Sequence, residues 1–128
     1  MRLLLDTHSL LWWLFDDPKL SGVARAAIAD PDNEVLVSAA SAWEISTKHR
    51  LGKLPEAGDV PAKLTAYVRK AGFVPLLISL EHALEAGSLP GPHRDPFDRM
   101  LIAQARMERL SVATRDPVFR KYGVSVVW

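Results

Sequence analysis

Five short runs of the chain are apolar almost throughout: Leu3–Leu5, Val35–Val37, Phe73–Ile78, Ser111–Thr114 and Val124–Trp128. Unbroken rather than alternating hydrophobicity is the pattern of strands covered on both faces. Between the runs, apolar positions recur at helical spacing. This predicts helices at roughly Ser9–Phe15, Ser21–Ala29, Ala39–Arg50, Val60–Ala71, Leu80–Ala86 and Pro96–Arg109. Breakers fall between the elements, at Pro18, Pro31, Gly72, Gly87 and the Pro90-Gly91-Pro92 cluster. The alternation of strand and helix predicts an α/β layer fold with a largely parallel sheet.

Size and composition narrow the picture. A chain of 128 residues, 48% hydrophobic and 24% charged, fits one compact domain spanning 1–128. With no cysteine there is neither a disulfide nor a thiolate metal site, and a cytoplasmic location is permitted. The apolar stretch Met1–Phe15 is broken by Asp6, Thr7 and His8, and no run reaches membrane-spanning length, so a soluble protein without a signal peptide is expected. A net charge of +1 neither requires nor forbids a nucleic-acid partner.

The candidate chemistry lies at the carboxyl ends of the strands, where open α/β sheets bind their ligands. Asp6 closes the first run, Ser38 the second, and Thr114-Arg115-Asp116 follow the fourth. The helices that start on that edge add Glu44, and Asp95 and Asp98 around the helix beginning at Pro96. Crowded like charges need compensation, and no lysine or histidine is expected inside the group. A hard divalent cation, Mg²⁺ or Mn²⁺, is the simplest neutraliser, and phosphodiester hydrolysis is the chemistry it implies.

Each acid also has a structural reading. Asp6 is a possible helix N-cap. Glu44 is spaced to pair with Lys48 at i+4. Asp95 before Pro96 makes a good cap, which leaves Asp98 the better ligand and Asp95 the fallback. Asp116 before Pro117 is a possible cap for a turn toward Phe119.

The segments Leu4-Leu5-Asp6-Thr7-His8, Val37 to Ile45 with Glu44 near its end, His93 to Ala105, and Ala113-Thr114-Arg115-Asp116 resemble, in order and spacing, the PIN-domain family and within it the VapC toxins of type II toxin–antitoxin pairs. The resemblance implies a three-layer sandwich around a mostly parallel sheet of about five strands. It implies Mg²⁺-dependent endoribonuclease activity, an antitoxin partner and a homodimer. Carried over by position, Asp6, Glu44, Asp98 and Asp116 form the acidic quartet, Asp6 and Asp98 being the direct metal ligands. Thr114 takes the place of the hydroxyl residue that orients the acids.

An RNA substrate needs cations for its phosphates. Lys48, Arg99 and Arg115 stand beside the acids in sequence and are the expected ligands. Of the adjacent Trp12 and Trp13, one is expected in the core. The other is expected outward, beside Leu10, Leu11 and Leu14, as a docking surface for a partner. Trp43 and Trp128 are expected in the core. Two rival enzymes fit less well: a haloacid-dehalogenase phosphatase needs an acid where His8 stands, and a P-loop or Rossmann protein needs a glycine-rich loop after the first strand. The non-enzymatic alternative is a catalytically silent PIN-like module that binds RNA or protein.

Overall fold

The computed structural model describes residues 1–128. Its sheet has five strands, β1 (Arg2–Leu5), β2 (Glu34–Ser38), β3 (Val74–Leu76), β4 (Ser111–Ala113) and β5 (Val126–Val127), in the order β3-β2-β1-β4-β5. Every pairing is parallel. Seven helices connect them: α1 (Thr7–Leu14), α2 (Gly22–Ala29), α3 (Ala39–Arg50), α4 (Val60–Ala71), α5 (Leu80–Ser88), α6 (Pro96–Glu108) and the short α7 (Val118–Lys121).

The pleat explains the three layers. Leu3, Leu5, Val35 and Val37 point to one face, where α1, α2 and α4 cover them with Leu10, Leu11, Ala24, Ile28, Val60 and Val68. Leu4, Leu36 and Val112 point to the other, under Leu101, Ile102 and Ala105 of α6 and Phe119 of α7. Strands buried on both faces are apolar at every position, which is why their runs are unbroken in the sequence.

Two runs behave differently. Only Val74–Leu76 of Phe73–Ile78 is strand, and it lies at a sheet edge with Val74, Leu77 and Ile78 exposed. Pro75 cannot donate to a ladder on both sides, and an edge position suits it. At the opposite edge β5 shrinks to two residues.

The tryptophans depart from expectation. Trp43 is 58% exposed rather than in the core. Trp12 and Trp13 are both half-buried against the core, and Leu10 and Leu11 beside them are buried. Leu10 and Leu11 are therefore not part of an exposed apolar surface around an outward tryptophan, because α1 turns them onto the sheet. No helix is long and apolar enough to cross a membrane.

Candidate active site

The strand order reverses at β1, which lies between β2 and β4. A crevice opens at such a switch point, beyond the carboxyl ends of the strands. Asp6 leaves β1 there, its backbone N–H donating to the Ala113 carbonyl at the end of β4 (3.2 Å). The Ser9 hydroxyl donates to the same carbonyl at 2.8 Å. These bonds fix the start of α1 against the end of β4, and so hold Asp6 beside the Thr114–Asp116 turn.

Asp6 both caps and lines the crevice. Its Oδ1 accepts the Ser9 N–H at 2.8 Å, so α1 begins at Thr7, earlier than its apolar spacing predicts. Burial pushes the Asp6 carboxyl above its ordinary value, against the opposing hydrogen bonds of Thr114 and Ser9. Thr114 is fully buried, and its Oγ1 accepts the Asp116 N–H at 3.0 Å. Asp116 in turn accepts the Val118 N–H at 3.0 Å, holding the entry to α7.

Glu44 reaches the crevice from α3 and is only 4% exposed. The buried Thr7 hydroxyl donates to its Oε1 at 2.5 Å, with the Ser41 hydroxyl 3.1 Å from that of Thr7. Lys48, one turn along, ion-pairs with its Oε2. For Lys48, burial works to lower the ammonium's pKa, but the bond and charge of Glu44 and the charges of Asp95 and Asp98 prevail and raise it.

Asp95 caps α6, its Oδ1 accepting from the backbone of Phe97 (2.9 Å) and Asp98 (3.2 Å). Asp98 projects from the first turn, and its Oδ2 lies 3.0 Å from His93 Nε2. Burial pushes its carboxyl up to about 6; the His93 bond opposes this, while the charges of Asp95 and Glu44 add to it.

All five acids line one cleft of about 940 Å³, together with Lys48, Arg115, His8 and Trp12. The four expected catalytic acids, Asp6, Glu44, Asp98 and Asp116, are therefore brought together with the fallback Asp95. Three features differ from the sequence reading. The group holds a lysine after all: Lys48 neutralises part of Glu44, and His93 faces Asp98. The acids do not close on one point, since no three are near enough to form a ready coordination shell. Arg99 does not line the cleft; it donates to the backbone carbonyls of Ala86, His93 and Leu89, tying the α5–α6 connection together instead of awaiting a phosphate.

Thr7 and Ser41 were missed by sequence reasoning. The signal for Thr7 was its place directly after Asp6 at the start of a helix. Ser41 lies three residues before Glu44, one helical turn away on the same face of α3, and that spacing was its signal.

The donor set of the acids is oxygen throughout, and burial disfavours the charged form of two of them, Asp6 and Asp98. That fits a hard divalent cation that keeps several of its waters, which an open cleft can accommodate.

A family model described as the PIN domain matches residues 3–124, a span that holds every acid of the cleft. The chain belongs to the PIN domain family. Ribonuclease VapC22 of Mycobacterium tuberculosis is 31% identical over 122 residues, covering 93% of this chain and 90% of that protein. Ribonuclease VapC16 of the same organism is 44% identical over only 59 residues, 46% of this chain and 40% of that protein. The crystal structure of VapBC2 from Rickettsia felis, bound to a DNA fragment from their promoter, superposes with a TM-score of 0.71 over 98% of this chain and 97% of that one. At 14% identity that likeness is one of fold. Within the family this chain is of the VapC type.

Proposed function

We propose that the chain is an endoribonuclease, the toxin of a toxin–antitoxin pair, which hydrolyses RNA phosphodiester bonds with Mg²⁺ bound in the carboxylate cleft and Mn²⁺ as a substitute. The observation that carries this reading is the gathering of Asp6, Glu44, Asp95, Asp98 and Asp116 from four separate stretches of chain at the switch point of a parallel sheet. The ribonuclease names of its two relatives supply the substrate class.

A cation held there supplies charge neutralisation and Lewis acidity toward phosphate and water. Asp6 and Asp98 are the carboxylates that would hold it, with Glu44 and Asp116 acting directly or through water. Thr114 and Ser9 orient Asp6 by hydrogen bonds, and Thr7 fixes the Glu44 carboxylate. Arg115, packed over Trp12 at 4.6 Å in the cleft wall, and Lys48 bring positive charge to the phosphates beside the acids. The partners are RNA, a cognate antitoxin protein, as the paired VapBC2 neighbour suggests, and a second copy of the chain. Exposed Leu77, Leu80 and Leu84 offer apolar surface for such a copy.

The open spacing of the acids is what would favour the alternative, a catalytically silent module that binds without cutting. One experiment separates the two. Purified protein is incubated with total RNA in Mg²⁺, in Mn²⁺ and in excess chelator, and Asp98→Asn is run beside it. Cleavage that disappears with chelator and drops by at least about a hundred-fold in Asp98→Asn is the expected result. RNA left intact under every metal condition would establish the silent module.

A further inference from the structure

Trp43 is the tryptophan that the core does not take up, with 58% of its surface exposed. Its position sets it apart from the other exposed apolar residues. It directly precedes Glu44 on α3, and its ring meets that of Phe97, the residue directly before Asp98, edge-on at 4.9 Å. The acids turn inward to the cleft while the two aromatic rings meet on its shoulder, bridging α3 and α6. Half-buried Phe97 braces the indole, and the Lys48 ammonium lies 5.9 Å from the Phe97 ring centre.

Trp12, which lines the cleft itself, is not equivalent. Arg115 covers it at 4.6 Å, and the rings of His8 and Trp128 pack on it at 5.6 and 5.9 Å. Trp43 has a single aromatic neighbour and is otherwise open.

The electrostatics of the cleft make such a surface useful. Seven carboxylates and only three fixed cations line it, so phosphate attraction there is weak for a protein that must hold RNA. Neutral contacts have to contribute. An exposed indole offers one that any unpaired base can use, because every base has a π-face.

We infer that Trp43, braced by Phe97, is a stacking platform for an unpaired nucleobase of the RNA strand entering the cleft; this rests on the ribonuclease reading above. It places recognition of single-stranded substrate one residue away from two of the acids. A duplex, whose bases are already stacked, cannot use it.

The test is equilibrium binding of a short, fluorescently labelled single-stranded RNA of mixed sequence, with EDTA present so that it stays intact, at low salt. Wild type, Trp43→Ala and Trp43→Phe are compared after urea titration has shown that all three fold alike. Trp43→Ala is expected to bind roughly five- to a hundred-fold more weakly, and Trp43→Phe to recover most of the loss. Duplex RNA of the same length is expected not to distinguish them. Equal affinities of all three for the single strand overturn the platform; if wild type still cleaves RNA in Mg²⁺, the ribonuclease reading survives that failure. A wild type that neither binds nor cleaves RNA removes both. Unchanged RNA affinity with an altered sedimentation mass in Trp43→Ala assigns the residue to a protein contact instead, which also overturns the proposal.

Discussion

At the residue scale, Asp98 has the sharpest consequence. Its carboxyl is pushed from 3.8 to about 6, chiefly by burial. Without a cation, the folded protein holds this proton until about pH 6, whereas the unfolded chain gives it up near its ordinary value. The stability linked to that proton is complete below about pH 4 and lost as pH rises through about 6, after which the fold carries an under-compensated buried charge. Asparagine fills the same space without the charge. Asp98→Asn is therefore expected to be more stable than wild type at pH 7.5 in EDTA, by about 1–2 kcal/mol once the exposure of the side chain and the lost His93 contact are allowed for. The gain should shrink toward zero near pH 4. Urea midpoints across pH measure it, and a variant less stable than wild type at pH 7.5 would contradict the burial argument. A site that weakens its own fold when empty is the usual mark of a functional cluster rather than a structural one.

At the element scale, the site depends on how α3 and α6 are held at one edge of the sheet. Ser38 at the end of β2 caps α3 and donates to Gln104 of α6 at 2.6 Å, tying together the helices that carry Glu44 and Asp98. Arg99 fastens the other end of the arrangement by donating to three carbonyls around the Ala86–His93 connection. Replacing it with methionine keeps the aliphatic bulk and strands those carbonyls. Arg99→Met is expected to lower unfolding free energy by roughly 2–3 kcal/mol with an unchanged denaturant slope. The salt dependence of RNA affinity should stay as in wild type; a slope reduced by about one would restore Arg99 as a phosphate ligand. The sequence could not show this, because two of the carbonyls, those of Leu89 and His93, belong to an irregular loop whose path no periodicity encodes, and that path decides how Arg99 meets the last turn of α5. The strands and long helices were legible because a sheet covered on both faces imposes unbroken apolar runs. The ends of β3 and β5 were not, since edge strands are shaped by neighbours they lack. Trp43 was misplaced for a related reason: an aromatic within a helical pattern reads as core, and only the packing of α3 on α6 shows which way it turns.

At the scale of the whole molecule, parallel topology does most of the work. When every strand runs the same way, every strand end falls on one edge, where α1, α3 and α6 also start, so the sequence alone places Asp6, Glu44, Asp98 and Asp116 on that edge. The distances between them do not follow from it, because side-chain direction decides whether acids touch a cation or each other. That is why the His93–Asp98 contact escaped the sequence reading, why the Glu44–Lys48 pair stood there only as a structural alternative to a place in the site, and why the cleft is more open than expected. Seven carboxylates against three fixed cations leave it electronegative even so. A divalent cation that binds the folded cleft and not the unfolded chain must then stabilise the entire domain, by about 1.4 kcal/mol for each tenfold excess over its dissociation constant. Binding has to displace the Asp98 proton wherever that carboxyl is still protonated, so cation affinity falls as pH drops through about 6. Mg²⁺ is therefore expected to raise the melting temperature clearly at pH 8, much less at pH 5, and hardly at all in Asp98→Asn at either pH. Thermal unfolding with and without Mg²⁺ measures this independently of any RNA substrate. A melting temperature indifferent to both Mg²⁺ and Mn²⁺ at pH 8 would mean that the cleft binds no such cation, and that the acids serve some other end.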